Sequence, residues 1–335
     1  MSAKAAAAII GAGSWGTALA IVLAPRFERI RLWAHEGDLV ERMFSTRIND
    51  VFLPGFSLPL NVEPTADLGY ALESAGIVVG VMPSRFARSL YREMLPHLAP
   101  EMRFVSATKG LEQGTLLRMS EVARAVIGQK FEPRVAVLSG PTFAREVARG
   151  DPTAVVIASP VRELAASIQH EFSGPAFRLY ANDDPVGVEL GAALKNIIAI
   201  GAGICDGLGL GSNSIAALIT RGLAEITRLA MALGGRPKTL SGLAGLGDLV
   251  LTCNGDLSRN RTVGIELAKG RKLTDIVSSM TMIAEGVETT AAACDLARQC
   301  HVDMPITQQM DAILRGRTSP RDAIRELMER ELKTE

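Results

Sequence analysis

Lys195 is the residue whose surroundings most suggest chemistry. It lies in "ELGAALKNIIAIGAG" (189–203), a run of small and apolar residues with the pattern of a buried helix. Burial disfavours the ammonium form of lysine, and a lysine that exchanges its proton near neutral pH can act as a general acid and base. A lysine can also extend its amine to solvent, which the residues alone leave open as the alternative. The positions that share its helix face and offer no counter-charge are Gly191, Ala192, Ile198 and Ala199.

Three polar residues could support Lys195. Asp248 closes the "GLGD" turn (245–248) and could hold the amine by a charge-assisted hydrogen bond, serve as the N-cap of the following helix, or do both. Thr252 comes one turn later on the same helix face, with an ordinary helix threonine as the alternative. Asn196 could orient the reacting groups or only pack against neighbours. A lysine supported in this way would suit proton transfer to or from an alcohol.

The order of elements near the N-terminus indicates a βαβ unit. An apolar strand pattern at Ala5–Ile10 leads into "GAGSWG" (11–16), then into the helical pattern "TALAIVLA" (17–24) and a second strand pattern, "RIRLWAH" (29–35). A glycine turn between a strand and a helix in such a unit is typical of dinucleotide binding.

The three glycines of this turn have separate predicted roles in forming the cofactor site. Gly11 permits the turn, Gly13 lets the backbone approach a pyrophosphate, and Gly16 lets the helix pack on the sheet. The helix N-terminus then meets the anion, and Ser14 and Trp15 lie beside it. A glycine turn that binds no ligand is the alternative.

The end of the second strand bears on the choice of cofactor. A carboxylate that reads the ribose 2′-hydroxyl usually stands there, whereas this chain has Ala34, followed by His35 and Glu36. The neutral Ala34 leaves room for a 2′-phosphate that His35 could contact, and this favours NADPH. Glu36 could accept from a 2′-hydroxyl if the strand ends late, so NADH stays open.

Further apolar runs predict the rest of the fold. Up to about residue 184 they alternate with helical or loop segments, and from Pro185 onward the patterns are long and helical. We therefore predict an α/β chain: a Rossmann-like doubly wound sheet in a domain of residues 1–187, and a mostly α-helical domain of residues 188–335. The additional strand patterns are "GIVVGVM" (76–82), "RFVSAT" (103–108), "RVAVLSG" (134–140) and "TAVVIAS" (153–159).

Composition argues against several classes of protein. Lys and Arg number 36 and so do Asp and Glu, which disfavours a nucleic-acid binder that works by phosphate neutralisation. The four cysteines and four histidines show no zinc spacing, and we expect buried thiols in a reducing compartment.

The charge-free run Ala5–Ala24 could span a bilayer, but it is mostly Ala and Gly. We therefore expect a cytoplasmic protein without membrane or nucleic-acid partners, with a signal segment or membrane anchor at this run as the alternative. The apolar helices of the second domain favour a homodimer.

Together with the cofactor turn, seven further motifs make the chain resemble NAD(P)-dependent glycerol-3-phosphate dehydrogenase of the bacterial type. The resemblance covers nearly the whole chain, in order. It implies an enzyme that interconverts sn-glycerol 3-phosphate and dihydroxyacetone phosphate and feeds phospholipid synthesis. One position departs, since Ile215 stands where that family often has lysine. The motifs are "RINDVFLPG" (47–55), "TKGLE" (108–112), "SGPTFAREV" (139–147), "ALKNIIAIGAG" (193–203), "GLGDLVLTC" (245–253), "SRN" (258–260) and "IAEG" (283–286).

The resemblance also implies roles for individual residues. "LKN" matches the motif that supplies the family's catalytic lysine, which favours Lys195 as the acid and base. Lys109 would touch both cofactor and substrate, where a solvated loop lysine is the alternative. Ser258, Arg259 and Asn260 would bind the substrate phosphate at a helix N-terminus, although a capped surface helix fits the residues as well. The remaining implied contacts are Gly140 and Thr142 for the substrate, and Ala144, Arg259, Ile283 and Glu285 for the cofactor.

Two other functions stay open at this point. A related 3-hydroxyacid dehydrogenase would pair the same kinds of domain but read a carboxylate instead of a phosphate. A nicotinamide-nucleotide sensor would bind the cofactor without turnover and would need neither Lys195 nor Asp248.

Overall fold

The computed structural model describes residues 6–280 and 284–332, and the chain forms two units. Unit 1 comprises Met1–Lys109 and Leu117–Glu189, and unit 2 comprises Gly110–Leu116 and Leu190–Glu335. Unit 1 contains the sheet, and unit 2 is helical. The predicted fold class is confirmed.

The described strands form one sheet in the order β3-β2-β1-β4-β5-β6-β7-β8. Neighbouring strands are parallel except β6 and β7. The direction of winding changes at β1, which pairs with β2 on one side and β4 on the other, and ligands of open α/β sheets bind at such a point. The strands are β1 (Ala6–Ile10), β2 (Ile30–Trp33), β3 (Val62–Thr65), β4 (Ala75–Gly80), β5 (Arg103–Ser106), β6 (Arg134–Ser139), β7 (Thr153–Ala158) and β8 (Phe177–Asn182).

Alternate residues of β1 enter two different cores. Ala7 and Ile9 belong to one hydrophobic cluster, and Ala8 and Ile10 belong to another, because successive strand side chains point to opposite faces. Helices cover both faces, as a doubly wound sheet requires. The first face packs α1 (Ser14–Leu23), α2 (Gly37–Thr46), α6 (Ala144–Arg149) and α7 (Arg162–Phe172), and the second packs α3 (Leu68–Leu72), α4 (Ala87–Met94) and α5 (Met119–Ile127).

The charge-free run near the N-terminus is not one continuous helix. Residues 6–23 form β1, the turn and α1, and most of their side chains lie in the cores. Of the described residues, Pro185–Gly207 alone forms a helix long and apolar enough to cross a membrane, and its most apolar window is wholly buried. It is therefore a core helix.

Unit 2 is built around α8 (Pro185–Gly207), which begins in the last segment of unit 1. A Cβ added to Gly203 would lie 1.9 Å from the Arg261 carbonyl oxygen, and one added to Gly264 would lie 2.0 Å from that of Ile200. Two helices thus cross with their main chains in contact. The other helices are α9 (Ser212–Ala232), α10 (Pro237–Leu240), α11 (Asp248–Asn254), α12 (Arg259–Ala268), α13 (Leu273–Ser278), α14 (Glu285–Gln299), α15 (Pro305–Leu314) and α16 (Pro320–Met328).

Two of the four cysteines are less buried than the sequence analysis predicts. Cys205 and Cys253 are buried, but Cys294 and Cys300 are only partly so. The prediction of buried thiols is therefore wrong for the pair on and just after α14, whose outer face reaches solvent.

Candidate active site

The glycine turn in unit 1 has the shape of an anion cradle. Gly11 has a φ of +121°, and a Cβ there would lie 2.6 Å from the Val81 carbonyl oxygen, so both conformation and space demand glycine. A Cβ at Gly16 would lie 1.9 Å from the Gly11 carbonyl oxygen. At Gly13, by contrast, a Cβ would meet nothing within 4 Å, so the backbone is open on that side. Gly13 is also the N-cap of α1, where no side chain caps the first N–H groups. These features fit a pyrophosphate.

The two residues between these glycines have different surroundings. Ser14 donates its hydroxyl to the Phe52 carbonyl oxygen at 2.7 Å. The Trp15 indole Nε1 is buried and has no hydrogen-bond partner among the described residues. Sequence reasoning missed Asn49, which is 0% exposed and donates to the Ala12 carbonyl oxygen at 2.8 Å. The only signal was an asparagine inside the motif "RINDVFLPG".

The end of β2 presents His35 to solvent. Ala34 is buried and donates its N–H to the Thr65 carbonyl oxygen at 3.0 Å, whereas His35 and Glu36 are exposed. The His35 ring packs edge-on against Trp33, with centroids 6.1 Å apart. An imidazole and a carboxylate are thus both available where the ribose of a dinucleotide would be read.

The ends of β5 and β6 bring Lys109 close to the "SGPTFA" segment. Lys109 Nζ donates to the Gly140 carbonyl oxygen at 3.4 Å, and the Thr142 hydroxyl donates to the same oxygen at 3.2 Å. Ala144 is the first residue of α6 and is half-buried. Because β5 and β6 are parallel neighbours, their carboxyl ends meet at one edge, which groups these residues in unit 1.

Lys195 in unit 2 is held by the two residues predicted to support it. Its Nζ lies 2.5 Å from Asp248 Oδ1 and 2.7 Å from Thr252 Oγ1. The Thr252 hydroxyl donates to the Asp248 carbonyl oxygen at 2.6 Å, one turn back in α11, which leaves its oxygen to accept from the lysine. Lys195 is 5% exposed, Asp248 1% and Thr252 5%. The predicted hydrogen bond is confirmed, and the alternative of an amine in solvent is wrong.

Asp248 owes its position to the helix start. It is the first residue of α11, and Gly247 occupies the N-cap without a side-chain cap bond. The N-cap alternative for Asp248 is therefore wrong, because the helix begins one residue earlier than that role requires. Next to this pair, burial is the main cause that raises the pKa of Cys253 to about 12, so its thiol stays protonated at neutral pH.

The N-terminus of α12 presents the "SRN" residues. Ser258 is the N-cap and accepts from the Arg261 N–H at 3.3 Å, and Arg259 is exposed in the first turn. Asn260 is 8% exposed, and its Oδ1 accepts from the Gly286 N–H at 2.9 Å. Its Nδ2 makes no hydrogen bond to a described residue. Since a backbone N–H can only donate, this contact fixes which end of the carboxamide is the remaining donor.

Asn196 lies beside Asn260. A Cβ at Gly286 would be 2.7 Å from Asn260 Oδ1 and 2.8 Å from the Asn196 carbonyl oxygen, so these residues are neighbours. Asn196 is 4% exposed, yet its carboxamide has no hydrogen-bond partner within the part of the chain that the structure describes. Glu285 is the first residue of α14. Ile283, the other predicted contact from this segment, lies outside the described residues.

Comparisons with known proteins agree along the whole chain. Residues 6–165 match the N-terminal family model of NAD-dependent glycerol-3-phosphate dehydrogenase, and residues 184–325 match the C-terminal one. Glycerol-3-phosphate dehydrogenase (NAD(P)+) of Koribacter versatilis is 61% identical, and that of Syntrophotalea carbinolica is 53% identical, each over 98% of both chains. The crystal structure of glycerol-3-phosphate dehydrogenase from Coxiella burnetii superposes with a TM-score of 0.93 at 42% identity, covering 98% of this chain and 99% of that one. This chain belongs to the NAD-dependent glycerol-3-phosphate dehydrogenase family.

Proposed function

We propose that this chain interconverts dihydroxyacetone phosphate and sn-glycerol 3-phosphate, with Lys195 as the group that exchanges the proton. Homologues that are 50–61% identical carry the name of this NAD(P)-dependent activity. The observation that carries the role of Lys195 is its buried amine, 2.5 Å from Asp248 and 2.7 Å from Thr252. An oxidoreductase that acts on an alcohol needs one such group, because a proton must move whenever a hydride does.

The reaction in the direction of reduction adds a hydride and a proton to one carbonyl group. When bound, the reduced nicotinamide supplies the hydride to the C2 carbon of the substrate. Lys195 donates a proton from Nζ to the C2 oxygen, which becomes the hydroxyl, and the lysine is left as the neutral amine. Asp248 holds the amine in place and stabilises its charged form, and Thr252 fixes its direction. In the direction of oxidation the same amine takes the hydroxyl proton.

We place the substrate phosphate at the N-terminus of α12. The free Nδ2 end of Asn260, the carboxamide of Asn196 and the first N–H groups of the helix offer neutral donors in one region of unit 2. Arg259 adds a planar cationic fork in the first turn. We favour a phosphate over the carboxylate of a 3-hydroxyacid because several donors in this region suit its additional oxygens. Exchanging Arg259 for Ala and comparing the two kinds of substrate tests this preference.

The cofactor is a nicotinamide dinucleotide, and we propose that NADPH is preferred. The support is the neutral, buried Ala34 followed by the exposed His35, which could meet a 2′-phosphate. Exchanging His35 for Ala would then raise the KM for NADPH and leave that for NADH unchanged. An unchanged KM for NADPH in this variant would refute the contact with His35.

We further propose a cytoplasmic homodimer that supplies glycerol 3-phosphate for phospholipid synthesis. Exposed apolar side chains of unit 2, among them Leu246, Val250 and Leu257, support an interface between two copies. Sedimentation equilibrium would test this, and a single species of monomer mass at micromolar concentration would rule the dimer out.

The decisive experiment exchanges Lys195 for Met and follows NADPH oxidation with dihydroxyacetone phosphate. Loss of a general acid lowers turnover by about 10² to 10⁴-fold, while NADPH affinity should be kept because Lys195 is not among the predicted cofactor contacts. Lys269→Met is the matched control, since Lys269 is a half-exposed lysine paired with Glu266 on unit 2. Turnover unchanged in Lys195→Met would refute the role of this lysine. A wild-type protein that binds NADPH without consuming it would instead support the sensor.

A further inference from the structure

The segment 47–55, "RINDVFLPG", lies against the cofactor turn but has no part in the chemistry above. Asn49 is its buried centre, at 0% exposure. Its Nδ2 donates to the Ala12 carbonyl oxygen at 2.8 Å and to Thr17 Oγ1 at 2.8 Å, and its Oδ1 accepts from the Phe52 N–H at 2.9 Å. Three of the four hydrogen-bonding positions of this carboxamide are thus used, two of them on the turn and its helix.

Two further bonds tie the same pieces together. The Thr17 hydroxyl, which accepts from Asn49, also donates to the Ala12 carbonyl oxygen at 3.3 Å. The Ser14 hydroxyl donates to the Phe52 carbonyl oxygen at 2.7 Å. The turn is therefore linked to the segment at Ala12, Ser14 and Thr17.

The contact at Ala12 sets the direction of a donor that faces the other way. The carbonyl of Ala12 and the N–H of Gly13 belong to one planar trans peptide, so they point in opposite directions. With the carbonyl held by Asn49, the Gly13 N–H is aimed away from this segment. Gly13 is also the position where an added Cβ would meet nothing within 4 Å.

We propose that Asn49 is a positioning residue of the dinucleotide site, which locks the Ala12–Gly13 peptide so that the Gly13 N–H is presented to the cofactor pyrophosphate before binding. A donor fixed in advance loses no conformational freedom when the ligand arrives, which raises affinity. The inference rests on the dinucleotide-binding role of the turn, and it adds a residue that touches neither cofactor nor substrate.

The test replaces Asn49 with Asp and with Ala and measures NADPH affinity by fluorescence titration. Asp keeps the acceptor for Phe52 but puts an oxygen where Ala12 needs a donor. We expect each variant to bind NADPH at least about tenfold more weakly, because the released Ala12–Gly13 peptide must then be ordered when the cofactor binds. The KM for NADPH should rise by a similar factor, while the KM for dihydroxyacetone phosphate stays within about twofold and kcat falls less than the KM rises.

Asn61→Ala is the matched control. Asn61 also lies in unit 1 and also donates from Nδ2 to two backbone carbonyl groups, those of Ala24 at 2.9 Å and Phe27 at 3.0 Å, but at the far end of α1. Its replacement should change thermal stability without changing NADPH affinity. An equal loss of affinity in Asn61→Ala would reduce Asn49 to a general structural residue and overturn the proposal.

Thr17→Val is a second variant, which keeps the proposal testable if the Asn49 variants do not fold. It keeps the side-chain volume, removes the hydroxyl that Asn49 contacts, and should weaken NADPH binding by about threefold. Unchanged NADPH affinity in folded Asn49→Asp and in Thr17→Val would refute the inference alone. A wild-type protein that bound no dinucleotide would instead count against the function of the turn.

Discussion

Replacing Asp248 with Asn should destabilise the protein strongly, because it removes the carboxylate that is paired with the buried Lys195 ammonium. The atoms Nζ and Oδ1 are 2.5 Å apart, and both residues are at most 5% exposed. At an effective dielectric constant of about 20, unit charges at this distance attract by about 7 kcal/mol. Desolvation offsets part of that, and removing one partner of a buried pair costs about 3 to 5 kcal/mol. We expect a fall of this size in the free energy of unfolding, measured by urea denaturation at pH 7.

The double variant Lys195→Met/Asp248→Asn identifies the cause. It removes both charges, so it should be more stable than Asp248→Asn alone, since replacing a whole buried pair by neutral groups is far less costly than breaking it. Glu266→Gln is the control: it breaks two ion pairs on the surface of unit 2, Lys269–Glu266 and Arg271–Glu266, and should change the urea midpoint far less. Additive effects of the two single changes would show that the pair is not coupled and would refute the reasoning.

Three further changes address other parts of the chain. Gly13→Ala should lower thermal stability only slightly, as expected for Ala at an N-cap, but weaken NADPH binding at least about tenfold, because its Cβ enters the open space where we propose the pyrophosphate binds; Gly174→Ala, equally open, is the control, and unaltered NADPH affinity would contradict this placement. Asn260→Asp keeps the acceptor for Gly286 but replaces the remaining donor with negative charge, so the KM for dihydroxyacetone phosphate should rise at least about tenfold; an unchanged KM would place the phosphate elsewhere. Burial raises the pKa of Glu225 above its usual value of 4.5, so its folded form holds the proton more tightly than the unfolded form. Its contribution to stability is therefore complete below pH 4.5 and declines as pH rises through the higher folded pKa; Glu225→Gln should remove that decline from urea unfolding curves, and identical pH profiles would disprove it.

The local sequence pattern was sufficient to predict the central strands and the glycine turn at residues 11–16. The apolar runs at 76–82, 103–108, 134–140 and 153–159 overlap β4 to β7, because buried central strands are continuously apolar. The edge strands β3, "VEPT", and β8, "FRLYAN", were missed since they are short or largely polar.

The long-range hydrogen bonds of the site could be predicted from the sequence only in part. Its contact with Asp248 joins residues 53 apart in the chain and was suggested by the chemistry of the pair. The contacts of Asn49 with Ala12 and of Asn260 with Gly286 span 37 and 26 residues, and neither has a local pattern. Asparagine amides of this kind are indistinguishable in sequence from loop or surface residues. Only the tertiary fold selects their partners.

The crossing of α8 and α12 at Gly203 and Gly264 has a consequence for how this protein can change. Because both sides of this crossing are backbone, no side chain there can change its rotamer to make room. A larger residue at either glycine would therefore displace an entire helix. Such a displacement would move the N-terminus of α12, where we propose the substrate phosphate binds, relative to Lys195. Variants that accept substrates of a different size should therefore carry changes at the N-terminus of α12 and not at the crossing. A selection for such variants should return both glycines unmutated.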